Sequence, residues 1–403
     1  MATIPSIAFI PSGYKAGKLY SVLPTNGTAD FDFSRNTTAT RTNKDGLIEA
    51  VTVNTPRLDY PLINGVVNGC PSLLLEPQST NNLVQSNQFN TSWGVPNGLT
   101  LNGNQLSSLS GGLDVWKLES DGTSGFLAIN QSASVTGTNT FSIYAKAGTN
   151  RYVSLRGLSG LDVRAQFDLI NGEVYGSSNA VSTKINHIKD GWYRCTVTFD
   201  ASNSLFYIYP MIQGVADAGS IYIQYSQLEA GSYATSYIPT EGSTTTRLKD
   251  EGSKTGLSAD INSVEGTLFV EMSALVDDLS ERRLSLSDST SSNVVRVGYT
   301  NISNRIIAVV FNGSNQAVMT YTSSDITVKS KIAVKYKEND FALWVDGVER
   351  AIDSIGTTFS ENTLNRIGFD GGSGVSNSFN KTNQLQVFKT ALTDAELAVL
   401  TTI

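Results

Sequence analysis

The sequence predicts an all-β protein in which an extended N-terminal segment precedes two antiparallel β-sandwiches. Three observations lead to this prediction. Only 16% of the 403 residues are charged and 35 are glycine, a balance typical of short strands joined by turns rather than of long surface helices. Apolar and polar residues alternate with period two in many short runs, which indicates strands with one buried face. A helix is predicted at a single place, close to the C-terminus.

The first 80 residues are rich in proline and lack sustained alternation. Seven of the ten prolines lie at or before position 77, and proline is excluded from strands in the middle of a sheet. Short extended pieces are predicted at 31–33 and 47–49, and the apolar triplet 73–75 is expected to pack against a neighbour. Because such scattered pieces bury too little surface to offset the entropy of ordering, residues 1–80 are predicted to be an extended segment that is ordered only with a partner.

Residues 81–240 are predicted to form the first sandwich, with the character of a jelly roll. Four runs alternate cleanly, as antiparallel strands with one buried and one solvated face do. Asn171-Gly172 predicts a hairpin turn after the third run. The side chains assigned to the core are Phe141, Ile143, Ala145, Val153, Leu155, Val163, Ala165, Phe167, Tyr193, Cys195, Val197 and Phe199.

A linker is predicted over residues 241–259, since a Ser/Thr/Gly-rich run follows Pro239 and has too few apolar side chains to form a core. Residues 260–403 alternate again and are predicted to form the second sandwich. Within it, Asp346-Gly347 predicts a type I′ turn after a strand. Thr393 and Glu396 have the spacing of a capping box and predict the one short helix.

The chain offers few groups for catalysis. His187 is the only histidine, and no Gly-x-Ser-x-Gly sequence is present, so a Ser-His-Asp triad is not expected. The Glu-x-Asp-x-x-Glu pattern that supplies paired carboxylates in concanavalin-like hydrolases is also absent. We therefore expect no enzymatic activity, with a glycan-cleaving enzyme as the alternative. The two cysteines, Cys70 and Cys195, are expected to be buried free thiols.

No cofactor is expected, and a structural calcium ion is the one exception that the sequence leaves open. Loop carboxylates hold such ions in many β-sandwiches. The weak candidates are Asp277, Asp278 and Asp288, and their interpretation as solvated loop acids is favoured. One histidine and two cysteines make a tetrahedral zinc site improbable.

The polar face of the first sandwich is the best candidate for a binding surface. Aromatic and cationic side chains remain on it after the core is assigned, and aromatic rings flanked by hydrogen-bond donors suit sugars. The candidate glycan-binding residues are Tyr144, Tyr152, Arg156, Trp192 and Arg194, with Lys146 and Arg164 beside them. An alternative stays open, in which this face packs against another subunit or is simply solvated.

Charge and hydropathy exclude several other classes of protein. The net charge of −7 argues against nonspecific binding to nucleic acid, because phosphate affinity rests on Lys and Arg. No apolar run approaches the roughly 20 residues of a membrane-spanning helix. Residues 1–10 lack the basic start of a signal peptide, so synthesis in a cytoplasm without membrane insertion is expected.

Several motifs resemble those of bacteriophage fibre and spike proteins. Residues 31–35, 39–41, 46–49, 56–60 and 70–77 are similar to the N-terminal region of phage head-spike, head-fibre and tail-fibre proteins. Asp190-Gly191-Trp192-Tyr193-Arg194 and Gln227-Leu228-Glu229-Ala230-Gly231 resemble the carbohydrate-binding-like jelly roll that follows it in that family. Residues 345–348 and 387–397 resemble a laminin-G or concanavalin-like lectin domain. Together these resemblances cover nearly the whole chain.

The resemblance implies a structural virion protein, a head or tail fibre that presents glycan-binding sandwiches at the virion surface for attachment to the host. It implies that residues 1–80 attach the chain to other virion proteins, and that the protein is a homo-oligomer, most simply a trimer. Synthesis would take place in the cytoplasm of the host bacterium. Two alternatives stay open: a polysaccharide depolymerase of the tail, and a purely structural capsid decoration protein.

Overall fold

A computed structural model describes residues 3–403, over which the chain forms 34 strands and one helix. Eleven strands lie within residues 3–81: β1 (Ile7–Phe9), β2 (Tyr14–Lys15), β3 (Lys18–Leu19), β4 (Phe31–Ser34), β5 (Ala39–Thr42), β6 (Ile48–Val51), β7 (Arg57–Asp59), β8 (Leu62–Ile63), β9 (Val66–Val67), β10 (Ser72–Leu74) and β11 (Ser79–Asn81). The middle of the chain forms β12 (Leu99–Asn102), β13 (Trp116–Asp121), β14 (Ile129–Val135), β15 (Thr138–Ala147), β16 (Tyr152–Leu158), β17 (Val163–Asp168), β18 (Glu173–Ser178), β19 (Ser182–Lys189), β20 (Trp192–Asp200), β21 (Asn203–Tyr209) and β22 (Ala218–Ala230). The remainder forms β23 (Thr245–Arg247), β24 (Glu251–Thr255), β25 (Glu265–Ala274), β26 (Arg282–Ser287), β27 (Asn293–Tyr299), β28 (Arg305–Asn312), β29 (Asn315–Thr322), β30 (Ser330–Lys337), β31 (Phe341–Val345), β32 (Val348–Asp353), β33 (Arg366–Gly368), β34 (Asn380–Phe388) and α1 (Asp394–Thr401). The predicted all-β fold is confirmed.

The first sandwich, the jelly roll, packs a six-stranded sheet against a five-stranded sheet. The strand orders are β12-β13-β22-β15-β20-β19 and β14-β21-β16-β17-β18, with antiparallel neighbours throughout. Every side chain that the alternation assigned to the core lies between the two sheets, with Tyr193 only partly buried there. The period-two pattern therefore identified the inward face of each strand correctly.

The second sandwich packs an eight-stranded sheet against a nine-stranded sheet, and strands from the start of the chain belong to both. The first sheet has the order β32-β31-β30-β25-β34-β10-β7, with β1 also paired to β34; the second has the order β2-β3-β4-β24-β33-β26-β27-β28-β29. Ile7 lies opposite Val387, and Leu73 lies opposite Thr382. Six N-terminal side chains are buried in the core of this sandwich at 0% exposure: Ile7, Phe9, Leu19, Ala29, Phe31 and Leu73.

The structure thus shows that residues 260–403, predicted to form the second sandwich, do so only together with strands from residues 1–80. The N-terminal apolar pieces are too short to fold alone, as predicted, but the partner that orders them is the C-terminal sandwich of the same chain. The predicted linker 241–259 is also ordered by pairing. β23 pairs with β11, and β24 lies between β4 and β33, so this stretch is built into the fold.

Two local predictions at the C-terminus are confirmed. Asp346 and Gly347 both have positive φ, at 53° and 78°, as a type I′ turn requires. Thr393 caps α1, since its hydroxyl accepts a hydrogen bond from the Glu396 N–H while the Glu396 carboxylate accepts one from the Thr393 N–H. The helix packs Leu397 into a small apolar cluster beside the eight-stranded sheet.

The two cysteines are free thiols in different settings. Cys195 lies in the jelly-roll core, where burial raises the pKa of its thiol. Cys70 is exposed, so the expectation that it is buried was wrong, because it lies in the connection between β9 and β10 rather than in a strand. Within residues 3–403, no helix is long and apolar enough to span a membrane.

Candidate functional site

The five predicted glycan-binding residues do not form one surface. Tyr152 and Arg156 lie on β16 of the five-stranded sheet, whereas Tyr144 on β15 and Trp192 and Arg194 on β20 belong to the six-stranded sheet. All five point away from the shared core, as the alternation predicted. Because the two sheets face outward on opposite sides of the jelly roll, these residues belong to two separate places.

The outward face of the six-stranded sheet is covered by other parts of the chain. Tyr144 and Trp192 are buried in a second apolar cluster with Leu109, Val115, Tyr225 and Tyr237. The hairpin β5–β6 closes over it, since the Ile48 N–H donates to the Leu109 carbonyl at 2.7 Å. The expectation that Tyr144 and Trp192 are exposed to a ligand is therefore wrong, and both rings are core residues at a junction.

Arg194 joins the jelly roll to the segment that closes it. Its guanidinium lies over the Tyr144 ring, 5.1 Å from the centroid. One amino group donates to the Thr235 carbonyl at 2.7 Å and the other to the Ser142 hydroxyl at 3.1 Å. The side chain is half-buried, so part of it still reaches solvent.

The outward face of the five-stranded sheet carries tyrosines beside arginines; Tyr175 is exposed, Tyr152 and Tyr207 are partly exposed, and Tyr209 is fully buried. We call it the tyrosine face and define it by Tyr152, Arg156, Arg164, Tyr175, Tyr207 and Tyr209. Tyr207 and Tyr209 alternate along β21 and stack, with ring centroids 6.0 Å apart and planes at 30°. The Arg156 guanidinium carbon lies 5.9 Å from the Tyr207 centroid. An aromatic pair and a cation thus stand together on this face.

A second tyrosine pair lies towards the other end of β16. The centroids of Tyr152 and Tyr175 are 5.1 Å apart, with the rings tilted by 59°. The Arg151 guanidinium lies 5.2 Å from the Tyr152 centroid, which repeats the arrangement of the first pair. Tyr175 is 55% exposed, so its ring is open to a ligand.

The arginines of the tyrosine face are held in place by one carboxylate. Asp162 accepts hydrogen bonds from Arg156 at 2.8 and 3.1 Å and also from Arg164. These bonds, from Arg164 first and from Arg156 second, hold the pKa of Asp162 well below its usual range. Two cations therefore share one anion, which leaves a local excess of positive charge with unused N–H donors.

Of the four tyrosines of this face, Tyr152 alone was predicted from the sequence. In the sequence, residues 205–211 are apolar on both sides of a strand, so the pattern assigns neither Tyr207 nor Tyr209 to a face. The alternation of Tyr207 with Phe206 and Ile208, which are fully buried, is the signal that would have found Tyr207, whereas Tyr209 is itself fully buried. Tyr175 follows the Asn171-Gly172 hairpin, but its partner Tyr152 could be identified only once the register of β17 and β18 was known.

The three calcium candidates are each engaged locally, and Asp288 lies in a different turn from the adjacent Asp277 and Asp278. Asp278 pairs with Arg282 at 2.6 Å, which is the partner that lowers the pKa of Asp278 against the opposing effect of burial. Asp288 accepts from Thr290 within its own turn, and Asp277 accepts from the Asn304 N–H. Across residues 3–403, no group of three or more His, Cys, Asp or Glu side chains is placed to hold a metal ion.

A buried ionic network joins the N-terminal segment to the rest of the chain. Arg57 pairs with Glu76, 2.6 Å between Nη1 and Oε2, and also with Asp250. Arg35 completes the contact to Asp250 at 2.9 Å, and Arg247 contacts Glu76 at 2.8 Å. Burial alone would raise the pKa of Glu76, but Arg247 and Arg57 hold it well below its usual range.

The motifs that carry the phage-fibre resemblance meet at this junction. Arg35, Arg57 and Glu76 belong to the N-terminal motifs, while Glu229 belongs to the motif 227–231. The Glu229 carboxylate accepts from the Ser79 hydroxyl at 2.6 Å and from the Thr235 N–H at 2.9 Å. These motif residues therefore hold the parts of the chain together, and the tyrosine face lies elsewhere.

Comparison with known proteins gives similarity of structure only. The sequence matches no model of a protein family, and no curated protein matches it. Among solved structures, the chain is similar to the CBM40 domain of the Ruminococcus gnavus IT-sialidase bound to α2,3 sialyllactose, with 15% identity and a TM-score of 0.30 over 34% of this chain and 83% of that one. It is similar to domain 4 of an extracellular arabinanase from Geobacillus stearothermophilus in complex with arabinotriose, with 11% identity and a TM-score of 0.27 over 43% of this chain and 83% of that one. It is also similar to domains LG4-5 of the mouse laminin α1 chain, with 10% identity and a TM-score of 0.25 over 73% of this chain and 89% of that one.

Proposed function

We propose that this protein is a non-enzymatic glycan-binding component of a bacteriophage particle, a head or tail fibre, and that it binds glycans of the host surface through the tyrosine face. The observation that carries the proposal is the two tyrosine couples, each beside an arginine, which leave Tyr152, Tyr175 and Tyr207 open on the outward side of one sheet while Tyr209 is buried. The motif resemblance supports the place on a virion.

The tyrosine face has the chemistry that sugars require. A pyranose presents apolar C–H groups on one side, which pack on an aromatic ring, and hydroxyls around its edge, which need donors and acceptors. Tyr175 and Tyr207 offer the rings, and Arg156 and Arg164 offer N–H donors. Because Asp162 fixes both arginines before a ligand arrives, little side-chain entropy is lost on binding.

The absence of catalysis is part of the proposal. A glycosidase needs a carboxylic acid that is protonated near neutral pH, so the pKa of that acid must be raised. At the tyrosine face the pKa values of Asp162 and Asp168 are both lowered; hydrogen bonds from arginine oppose burial at Asp168. His187 lies on β19 with its ring 5.1 Å from that of Tyr193, away from this face.

Attachment to other virion proteins through residues 1–80, in a homotrimer, completes the proposal. Its support is the motif resemblance together with the exposed hairpin β8–β9, where Ile63 and Val66 project from the combined fold at 54% and 67% exposure. A partner protein on the particle would cover such side chains. A chain with Ile63→Ser and Val66→Ser should then stay folded and fail to enter particles.

Incubation of the purified protein with capsule or cell-wall glycans of a host tests the function. We expect the glycan to be retained on the immobilised protein and to be recovered at its original length. Steady release of reducing ends would replace the proposal with a depolymerase. Absence of retention, combined with weaker particles after deletion of the gene, would replace it with a decoration protein.

A further inference from the structure

A groove between the jelly roll and the C-terminal sandwich is the strongest further feature of the molecule. It lies on the outward side of the six-stranded sheet and so is separate from the tyrosine face. Its volume is about 310 Å³, near the lower end of the range for small-molecule sites. We call it the interdomain groove. Its polar walls come from β19, β20 and the segment after β22, and consist of Ser182, Lys184, Asn186, Arg194, Thr196, Thr198, Ser232 and Tyr233.

The charge of the interdomain groove is opposite to that of the chain. Lys184 and Arg194 line it and no carboxylate does, whereas the whole protein has a net charge of −7. Several acids lie near its lining and each is engaged. Glu76 and Glu229, whose charges act on Tyr233, are bound by Arg57 and by the Thr235 N–H. Asp278 accepts from Ser232 but is paired with Arg282, and Asp325, which lies near Lys184, accepts from Thr327. The groove therefore favours an anionic ligand.

Two polar atoms of the lining residues lack a hydrogen-bond partner within residues 3–403. Arg194 Nε and the Tyr233 hydroxyl are both buried and unpaired, although the two amino groups of Arg194 are bonded. Buried polar atoms without a partner cost free energy, so each such atom in a native fold calls for an explanation. Because both atoms are closed to solvent, a ligand oxygen would pair with them only if the groove walls opened slightly, and the accessible donors of the groove are those of Lys184 and the half-buried Arg194.

We propose that the interdomain groove binds a small hydroxyl-rich anion, the chemistry of a sugar residue that bears a carboxylate or a phosphate. Lys184 and Arg194 bind the anionic group, and the hydroxyls of Ser182, Thr196 and Thr198 bind those of the sugar. The volume admits one or two such residues. This site is independent of the proposed function, because its residues and its sheet differ from those of the tyrosine face.

Titration calorimetry with sodium glucuronate, galacturonate and glucose 6-phosphate tests the groove, with glucose as the neutral probe and sulfate as the plain anion. We expect at least one acidic sugar to bind, and glucose and sulfate to bind much more weakly. Lys184→Gln should weaken binding about fivefold or more, because it removes one charge-assisted contact. Raising the salt concentration should weaken it further.

Lys117→Gln is the matched control. It removes the same charge from the same sheet, at a lysine that pairs with Glu119 outside the groove, and it should leave the affinity unchanged. Lys184 is exposed, so its replacement is not expected to disturb folding, unlike that of Arg194. Failure of all three acidic sugars to bind, equal affinity in Lys184→Gln, or equally tight binding of glucose or sulfate would each overturn the proposal. Tyr207→Ala should leave the affinity for acidic sugars unchanged. A failure of the groove proposal can then be distinguished from a failure of glycan binding at the tyrosine face.

Discussion

Arg57 and Asp250 form an ion pair in which neither side chain is exposed to solvent. Arg57 belongs to the N-terminal segment, and Asp250 lies in the stretch that the sequence predicts to be a linker. Charges removed from water are tolerated only when they are paired and hydrogen-bonded. The pair therefore indicates that the N-terminal segment and residues 241–259 are fixed parts of the fold.

Breaking this network should be strongly destabilising. Arg57→Ala leaves Glu76 and Asp250 buried with too few partners, so we expect a loss of about 3–5 kcal/mol in the free energy of unfolding. Lys44→Ala is the control, because it removes a cation from an ion pair with Asp45 in which both side chains are exposed, and it should leave the free energy of unfolding nearly unchanged. Urea denaturation measures both. Equal losses in the two variants would contradict a special role of the network.

The network should also make stability depend on pH. The pKa of Glu76 is lower in the folded protein than its ordinary value of 4.5, so at acidic pH the unfolded chain binds the extra proton. Its contribution is therefore fully present above about pH 4.5 and is lost progressively as the pH falls below that value. In melting curves between pH 7 and pH 3, Glu76→Gln should be less stable at pH 7 and should lose less stability on acidification. If Glu76→Gln lost stability on acidification as steeply as the wild type, other carboxyl groups would govern acid unfolding.

Removal of residues 1–80 should unfold the C-terminal sandwich and spare the jelly roll. The truncated chain lacks Ile7, Phe9, Phe31 and Leu73, which fill the core of the second sandwich, whereas the jelly-roll core draws on residues from 83 onward. Limited proteolysis should leave a resistant fragment from the jelly roll and digest residues 260–403. A resistant C-terminal fragment of normal thermal stability would contradict the pairing of β1 and β10 with β34.

Trp192 and Tyr175 should respond differently to replacement by alanine. Trp192 is almost fully buried, so Trp192→Ala should cost about 3–5 kcal/mol and lower the melting temperature by several degrees. Tyr175 is more than half exposed, so Tyr175→Ala should change the melting temperature little. Differential scanning calorimetry compares the two. A small effect of Trp192→Ala would mean that the six-stranded sheet is open after all.

Local pattern predicted which side of each strand faces the core, but not what lies on the other side. Tyr144 and Tyr152 both alternate outward from core residues, and their patterns look alike. Tyr144 is buried because Leu109 and Tyr237, which are distant in sequence, cover its sheet. The pairing of Ile7 with Val387 spans almost the whole chain, so no short-range signal could indicate it. The capping box at Thr393 was predictable because all of its atoms lie within four residues.

The affinity of Tyr207→Ala for host-surface glycan tests the central claim most directly. Tyr321→Ala is its matched control, because Tyr321 is a partly buried tyrosine on the second sandwich with the Arg350 guanidinium 4.3 Å from its ring centroid. Removal of one stacking ring should weaken binding about tenfold, a loss of roughly 1–2 kcal/mol. We therefore predict a tenfold loss in Tyr207→Ala, with the wild-type affinity kept in Tyr321→Ala. Unchanged affinity in Tyr207→Ala, with the protein folded, would contradict the assignment of glycan binding to the tyrosine face.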